Sequence, residues 1–485
     1  MRNFKNIKHW QQYMLTAVFI SMLFYSCGQQ KDSANLAVFD GGAVTQKEYI
    51  EHFLSSTMYK PGVMPSENNL REIVFQKAME KIAVLEARSR KMDADTALIA
   101  SAKKIINTNL AQKYMKEKVI NNVVTDSLIK KFYDSFTPQY HMRYILRVVS
   151  DRTPATTLKA QQDTINIVYK LLRKGQKFED LAKEYSQDMV SKDKGGDIGY
   201  VIKESLGDPK LREVMETLPE KAYSKPFRGI AGFYILYKGE KRDVSVPPLD
   251  KVRTRIWQTL YRTRRYEIEQ KTKKLFNKLA PLYHFKLNQS AIDQIIKKAK
   301  IGKAKIGNEF LLEPGLLTAK ELSLILASCD GGKVTGRDMF ADPKKAPGDK
   351  WEFDKRLELL TQQMIFAQDA RKKGYDNTPE FKTSEKDILD AFLRQELYQK
   401  EVKDIVNVKV DSLREKEKDI LSPHDLRLKL VEQRTKLENK YRTDFENRMK
   451  EKYHFKFIEK NFAGAIKAAA KRKKEENAKR KKISK

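Results

Sequence analysis

The sequence predicts a mainly α-helical chain built from tandem helical modules, the first of them interrupted by a separate α+β domain. Three observations carry that expectation. The tetrapeptide Tyr-His-Phe-Lys occurs twice, at Tyr283 to Lys286 and at Tyr453 to Lys456, 170 positions apart. A short Asp-Gly-Gly stretch also occurs twice, as LAVFDGGAVT from Leu36 and ILASCDGGKVT from Ile325, which offsets Asp40 from Asp330 by 290. Between these anchors, Asp126-Ser127-Leu128 aligns with Asp411-Ser412-Leu413 at an offset of 285. Self-similarity at this spacing marks a duplicated unit, and the collapse of the offset from 285 to 170 leaves about 115 residues of the first copy, between Leu128 and Tyr283, without a counterpart.

Both copies carry helix signals between the anchors. Leu70, Ile73, Val74, Ala78, Ile82 and Leu85 recur at threes and fours in the first, and Phe353, Leu357, Leu360, Met364 and Ala367 do so in the second. The second of these helices should stop at Lys372-Lys373-Gly374, cations followed by glycine. Long charged helical stretches, Lys251 to Leu282 and His424 to Lys452, precede the two Tyr-His-Phe-Lys segments. A module therefore opens with an Asp-Gly-Gly hairpin and closes with a helix and a short strand. The expected organisation is a signal segment at 1–27, the first part of module one at 28–139, an inserted domain at 140–242, a helix and strand completing module one at 243–295, a second module without an insert at 296–462, and a basic tail at 463–485. The paired histidines read as packed or solvent-facing, because no Cys, Asp or Glu lies at ligand spacing from them. No metal or cofactor is expected, and HExxH, CxxC, P-loop and GxSxG motifs are absent from the sequence.

The N-terminus places Arg2, Lys5 and Lys8 ahead of an apolar run from Met14 to Tyr25, closed by Ser26-Cys27. The run is too short for a membrane span, which needs about 20 residues, and reads as a secretory signal. With Cys27 directly after it, the segment resembles a bacterial lipoprotein signal, which implies lipidation of Cys27. Phe24 and Tyr25 stand where that pattern usually has Leu and a small residue. Cys329 is the other cysteine, so an acylated Cys27 leaves no disulfide pair. The net charge of +32, from 96 basic and 64 acidic residues, would suggest nucleic acid in a cytosolic chain. For an exported one the expected partners are anionic lipid headgroups, acidic polysaccharide or acidic unfolded clients, and not nucleic acid. The last twenty residues, Lys/Arg-rich with few large apolar side chains, read as a solvated, partly helical tail or as an electrostatic tether.

The insert reads as a compact α+β domain. Tyr140 to Val149 alternates as a strand, Thr156 to Gly175 and Phe178 to Asp188 read as helices, KGGDIGYV as a turn and strand, Lys210 to Leu218 as a helix, and Gly232 to Glu240 as a final strand. Gly175, Phe178, Leu181-Ala182, Tyr185-Ser186, Asp188, Gly195-Gly196-Asp197-Ile198-Gly199, Leu218 and Gly232-Phe233 resemble, in order and approximate spacing, the parvulin family of peptidyl-prolyl isomerases. The helical segments around them look like those of SurA- and PrsA-type chaperones, from which a second module without its own parvulin domain departs.

That resemblance implies a prolyl pocket near Ile198, Leu211, Met215 and Phe233, with Asp188 close to the substrate carbonyl. Parvulins usually carry two histidines behind the pocket; at the matching positions this chain has Tyr144 and Tyr234, and His141 lies on the opposite face of its strand. Tyrosines can donate hydrogen bonds in place of imidazoles. Isomerisation of an X-Pro bond crosses a barrier of about 18–20 kcal/mol with no bond made or broken, so the chemistry needs a surface that favours the twisted amide and no obligatory acid, base or nucleophile. Two main readings follow, beside a third in which the chain is a structural lipoprotein that tethers envelope layers through its basic tail. The chain is an exported, lipid-anchored isomerase and chaperone of the cell envelope, facing the periplasm at the outer membrane and acting on unfolded or proline-containing clients, with Tyr144, Asp188 and Tyr234 as catalytic residues. Alternatively, it is a non-catalytic holdase or assembly lipoprotein whose parvulin domain is kept as a binding surface.

Overall fold

The computed structural model describes residues 34–150, 153–303, 310–340, 342 and 346–484. The signal segment and Cys27 lie outside the described residues. The chain divides into two compact units, one made from 1–103 with 383–485 and the other from 104–382.

In the first unit, Asn35–Phe39 and Gly42–Thr45 form an antiparallel hairpin with Val38 opposite Ala43 and Phe39 opposite Gly42. Its turn needs a left-handed residue, which Gly41 supplies at φ 87°. Thr45 ends the hairpin and starts helix Gln46–Ser56 through a capping box with Glu48, each satisfying an amide at the other's end. Helix Glu67–Ser89 follows from the N-cap Ser66 and buries Leu70, Ile73, Val74, Ala78 and Ile82, the stripe that the sequence marks. The rest of this core comes from the far end of the chain. Leu393, Leu397, Val402, Val406, Val410, Phe445 and Met449 pack against it, together with Phe455, Phe462, Ala465 and Ala469.

The third strand of this sheet is Lys456–Phe457, which pairs antiparallel with the first hairpin, Ala37 opposite Phe457 and Val38 opposite Lys456. This differs from the order of modules along the sequence: the hairpin that opens the first copy is completed by the strand that closes the second. In the second unit the complement holds. Strand Lys286–Leu287 pairs with the second hairpin, Ile325–Cys329 and Gly332–Thr335, with Ala327 opposite Leu287 and Ser328 opposite Lys286. Segment 243–295 thus completes a sheet begun by residues 325–335, and the 295/296 boundary falls inside helix Gln289–Ala299. Helix Lys350–Lys372 lies beside the second hairpin, burying Phe353 and Leu357 among Ile292, Ile295, Leu326 and Val334.

The expected tail is also different. Residues 462–484 form a helix whose first turns bury Phe462, Ala465 and Ala469, so it is a wall of the first unit's core. Its sequence buries too little to fold alone, but alanines let it lie close against helices already present.

The duplication is clearer in the structure than in the sequence. Helices Glu67–Ser89 and Lys350–Lys372 have equal lengths and are displaced by 283 positions (350 − 67), and both copies insert a five-residue π-helical turn at the same displacement, Lys116–Ile120 and Gln399–Lys403 (399 − 116).

The inserted domain belongs to the second unit. Its antiparallel sheet runs in the order Asp197–Val201, Gln139–Val148, Gly232–Arg242, Ala222–Tyr223, with Phe227–Arg228 also paired to the 232–242 strand. Helices Ala155–Arg173 and Phe178–Tyr185 pack on one face through Ile165, Val168, Leu172, Phe178 and Leu181, against Ile145, Val149, Phe233 and Ile235. Helix Pro209–Thr217 covers the other face.

Candidate active site

Alternation along two paired strands decides which side chains can meet. Leu146 faces Tyr234 across the ladder, and Tyr144 faces Leu236, which makes Tyr144 and Tyr234 diagonal neighbours on one face. Their rings meet edge to face, 5.6 Å apart at 82°. Phe227 lies nearly parallel to Tyr234 from the short strand beside it, at 5.7 Å and 17°. Met142, Leu146, Leu206, Leu211, Met215 and Leu236 form the buried floor, with Tyr144, Ile198 and Phe227 half-exposed at its edge.

Asp188 reaches this face from the loop after helix Phe178–Tyr185. Ser186 fixes the loop: its hydroxyl accepts from the amides of Leu146 at 3.2 Å and Asp188 at 3.3 Å. Gln187 extends the attachment, its amide donating to the Leu146 carbonyl at 2.8 Å and its side-chain oxygen accepting from the Val148 amide at 2.8 Å. The Asp188 carboxylate accepts from the Ser191 amide at 3.0 Å and from the Ser191 hydroxyl, and it lies within reach of the Tyr144 hydroxyl. The Gly195-Gly196 pair lets the backbone pass close behind. Gly196 has φ 80°, the Tyr144 amide donates to its carbonyl at 2.9 Å, and a Cβ there would stand 2.4 Å from the Tyr144 carbonyl oxygen.

The electrostatics keep both tyrosines neutral. Burial pushes the Tyr144 hydroxyl well above its ordinary value, and the Asp188 carboxylate adds to the shift. Burial pushes Tyr234 up to about 12, with Asp208 and Asp188 contributing. Asp208 is itself buried and structural, capping helix Pro209–Thr217 through the Lys210 amide at 2.8 Å and holding the Ile230 amide at 2.5 Å. The face therefore offers two neutral phenols and one carboxylate, half enclosed by apolar side chains.

Of the residues expected from the sequence, Tyr144, Asp188, Tyr234, Ile198, Leu211 and Met215 share this face. Phe233 does not. Adjacent to Tyr234 on an extended strand, it points the other way, into the core under helix Ala155–Arg173, with the Arg228 guanidinium 5.5 Å from its ring centre. The aromatic that touches Tyr234 is Phe227, on a two-residue strand too short to show a period in sequence. Parity alone would have rejected Phe233. His141 is engaged elsewhere, its Nε2 2.9 Å from Asp197 and its ring 5.0 Å from that of Tyr200. Among the described residues no cluster of His, Cys, Asp and Glu could hold a metal ion.

Residues 144–240 match the PPIC-type peptidyl-prolyl isomerase domain, the rotamase family. The chain is 24% identical over 273 residues to the foldase protein PrsA of Caldanaerobacter subterraneus, covering 49% of this chain and 84% of that protein. It is 33% identical over 132 residues to the chaperone SurA of Pseudomonas aeruginosa, covering 27% of this chain and 30% of the other. Among solved structures, the peptidylprolyl isomerase PrsA of Bacillus anthracis aligns over 47% of this chain and 94% of its own, with 23% identity and a TM-score of 0.24.

Proposed function

From a chain that carries a PPIC-type, parvulin-class peptidyl-prolyl isomerase domain and is homologous to PrsA- and SurA-like foldase chaperones, we propose a specific isomerase site and a place in the cell envelope. The proline ring of a client sits on the floor made by Leu206, Leu211, Met215 and Ile198, with Phe227 as its wall. The reacting amide lies over Tyr144, Tyr234 and Asp188. Twisting an amide out of plane localises the nitrogen lone pair and weakens the pull on the carbonyl, so a dry apolar surround favours the twisted form over either planar one. The Tyr144 and Tyr234 phenols supply oriented dipoles that cost no reorganisation as the bond turns. Asp188, held by Ser191, keeps the Tyr144 hydroxyl oriented and repels electron density on the carbonyl side. Catalysis on this scheme moves no proton.

The observation that carries the reading is the Tyr144–Tyr234–Asp188 cluster on the apolar floor. The experiment is protease-coupled or exchange-NMR isomerisation of a prolyl tetrapeptide by residues 28–485, with Tyr144→Phe beside the parent. A rate equal to that of buffer for the parent overturns it. One observation favours the second reading, a binding domain without turnover: Tyr234 is only 5% exposed and lies under Phe227, which limits its approach to an amide. Retained solubilisation of unfolded clients without isomerisation would select that reading.

The N-terminal charge and apolar pattern support export and lipid attachment at Cys27, and the absence of an acidic run after Cys27, where Lys31-Asp32 stand, favours an anchor that faces the periplasm over surface display. Among the described residues no helix is long and apolar enough to cross a membrane. Metabolic labelling with a fatty acid should mark the parent and leave Cys27→Ser unlabelled. Absence of label on the parent sinks the anchor.

A further inference from the structure

The outer half of the C-terminal helix is fixed to a loop of the first unit by bonds that the isomerase site does not use. Lys473, 1% exposed, donates to the Thr57 carbonyl at 2.5 Å and to the Thr57 hydroxyl at 2.9 Å. One turn on, the Asn477 amide donates to the Pro61 carbonyl at 3.0 Å. A buried ammonium costs several kcal/mol unless its donors are used, so these contacts hold loop and helix in one arrangement.

The loop so held carries apolar side chains outward. Tyr59 is 86% exposed, Val63 41% and Met64 42%. Lys60 is exposed between them, and Lys471, Arg472 and Lys474 are exposed on the helix turns that flank Lys473. From Ile466 to Lys485 the sequence has ten lysines and arginines against two glutamates. Burying Tyr, Val and Met elsewhere would be favourable, so their exposure at a loop pinned in place points to something that covers them.

We propose that this end of the first unit docks on an anionic phospholipid bilayer. Tyr59 would sit at headgroup level with Val63 and Met64 below it, and the cations would face the lipid phosphates. A short exposed loop can insert apolar side chains into a planar surface, whereas an extended polypeptide needs a groove to wrap it. The position of the unit in the chain agrees: Ala34, the first described residue, follows Cys27 by seven positions, at most about 25 Å of extended chain. That last point rests on the lipid anchor proposed above, and the docking surface would then orient the anchored protein.

The test is co-sedimentation of residues 28–485, which contain every described residue and lack Cys27, with vesicles of phosphatidylcholine alone or with one third phosphatidylglycerol, at about 0.1 M salt. Binding is expected with the anionic vesicles only. Lys471→Gln/Arg472→Gln/Lys474→Gln should lower the partition coefficient by about tenfold or more. Tyr59→Ser/Val63→Ser/Met64→Ser should lower it several-fold, with circular dichroism and melting unchanged in both variants. Equal binding to neutral vesicles, or parent-like binding by both variants, overturns the proposal. So does loss of binding to a reduced acidic polypeptide in the same variants without any vesicle binding, which would assign the surface to clients. Because the protein tested has no Cys27, a negative result here leaves the anchor reading standing, and a failed labelling experiment leaves this one standing.

Discussion

The hydroxyl of Tyr453 donates to the buried carboxylate of Glu86 at 2.8 Å across 367 positions of sequence, and Tyr283 donates to Asp369 in the same way at 2.9 Å. Glu86 and Asp369 are themselves 283 positions apart, the displacement of the two long helices. The next residue repeats the pattern: His454 Nδ1 meets Asp40 and His284 Nδ1 meets Asp330, each at 2.7 Å, with both histidines left-handed at φ 49°. Backbone bonds agree, Asp40 to Tyr453 at 2.8 Å and Asp330 to Tyr283 at 2.9 Å. Each Tyr-His-Phe-Lys segment is thus a plug, and each hairpin with its long helix a socket. The plug of either copy fills the socket of the other.

The exchanged pairing can be tested directly. In residues 28–485 with Cys329→Ser, the Val38→Cys/Lys456→Cys pair replaces two strand partners whose Cα atoms should be about 4.5–5.5 Å apart, within disulfide range. It should oxidise to an intramolecular disulfide, detected as a linked peptide by mass spectrometry. Val38→Cys/Lys286→Cys should not. A link in the second pair and none in the first would mean that each copy closes on itself.

Glu86 gives the first unit a defined acid response. Burial alone would raise its pKa, but hydrogen bonds from Lys452, Arg90 and Tyr453 outweigh it and hold the carboxyl at about 2. A folded pKa below the unfolded value means stability that is fully present above about pH 4.5 and lost as pH falls toward 2. The contribution is on the order of 2–3 kcal/mol for a group this buried. Glu86→Gln should lower stability at pH 7, by removing the counter-charge of Lys452 and one of the two that Arg90 pairs with, Glu401 being the other, and should flatten the slope of urea stability between pH 4.5 and 2. A slope equal to the parent's would show that other carboxylates govern the response. Tyr453→Phe removes one neutral donor and should cost about 1–2 kcal/mol.

How much of this was written in the sequence depends on the range of each interaction. The helix stripes and the Gly374 stop follow from neighbours within a few residues, and the helices lie where that periodicity puts them. The plug exchange was hidden because both sockets offer the same chemistry, an Asp in the hairpin and an acid in the helix. Chain length does not separate the alternatives either. The observed pairs close loops of 46 and 414 positions, self-closure would need 244 (284 − 40) and 124 (454 − 330), and the loop entropies differ by less than about 1 kcal/mol. At the site, the positions of the resemblance point to Tyr144, Asp188 and Tyr234, and the fold brings the three to one face. Phe227 gives no such signal on its two-residue strand, and Phe233, expected near the pocket, lies on the opposite face of the sheet, as strand parity requires.

The two glycines of the insert's turn and helix end should respond in opposite degree. Gly196→Ala would place a methyl 2.4 Å from the Tyr144 carbonyl oxygen at φ 80° and should cost about 3 kcal/mol or more, with loss of isomerase activity. Gly175 is also left-handed, at φ 89°, but a Cβ there meets nothing within 4 Å, so Gly175→Ala should cost only about 1 kcal/mol. Thermal unfolding of the two variants would check the contrast, and equal losses would place the strain in φ alone.

The pocket assignment separates three aromatic positions. Phe227→Ala removes the wall beside Tyr234 and should raise KM for prolyl peptides, with a loss of about tenfold in kcat/KM and a modest change in stability. Phe233→Ala opens the core on the opposite face and should cost about 3–4 kcal/mol of stability, while the folded fraction keeps parent kinetics. Tyr144→Phe keeps the ring but loses the phenol beside Asp188, so on the proposed scheme kcat should fall with little change in KM. Burial holds Tyr144 and Tyr234 neutral, so neither phenol should impose a pH dependence on kcat between pH 6 and 9. Tyr144→His should add a titration within that range, because imidazole changes charge near neutrality. A Phe233→Ala variant that folds fully yet loses substrate affinity would put the pocket on the other face of the sheet.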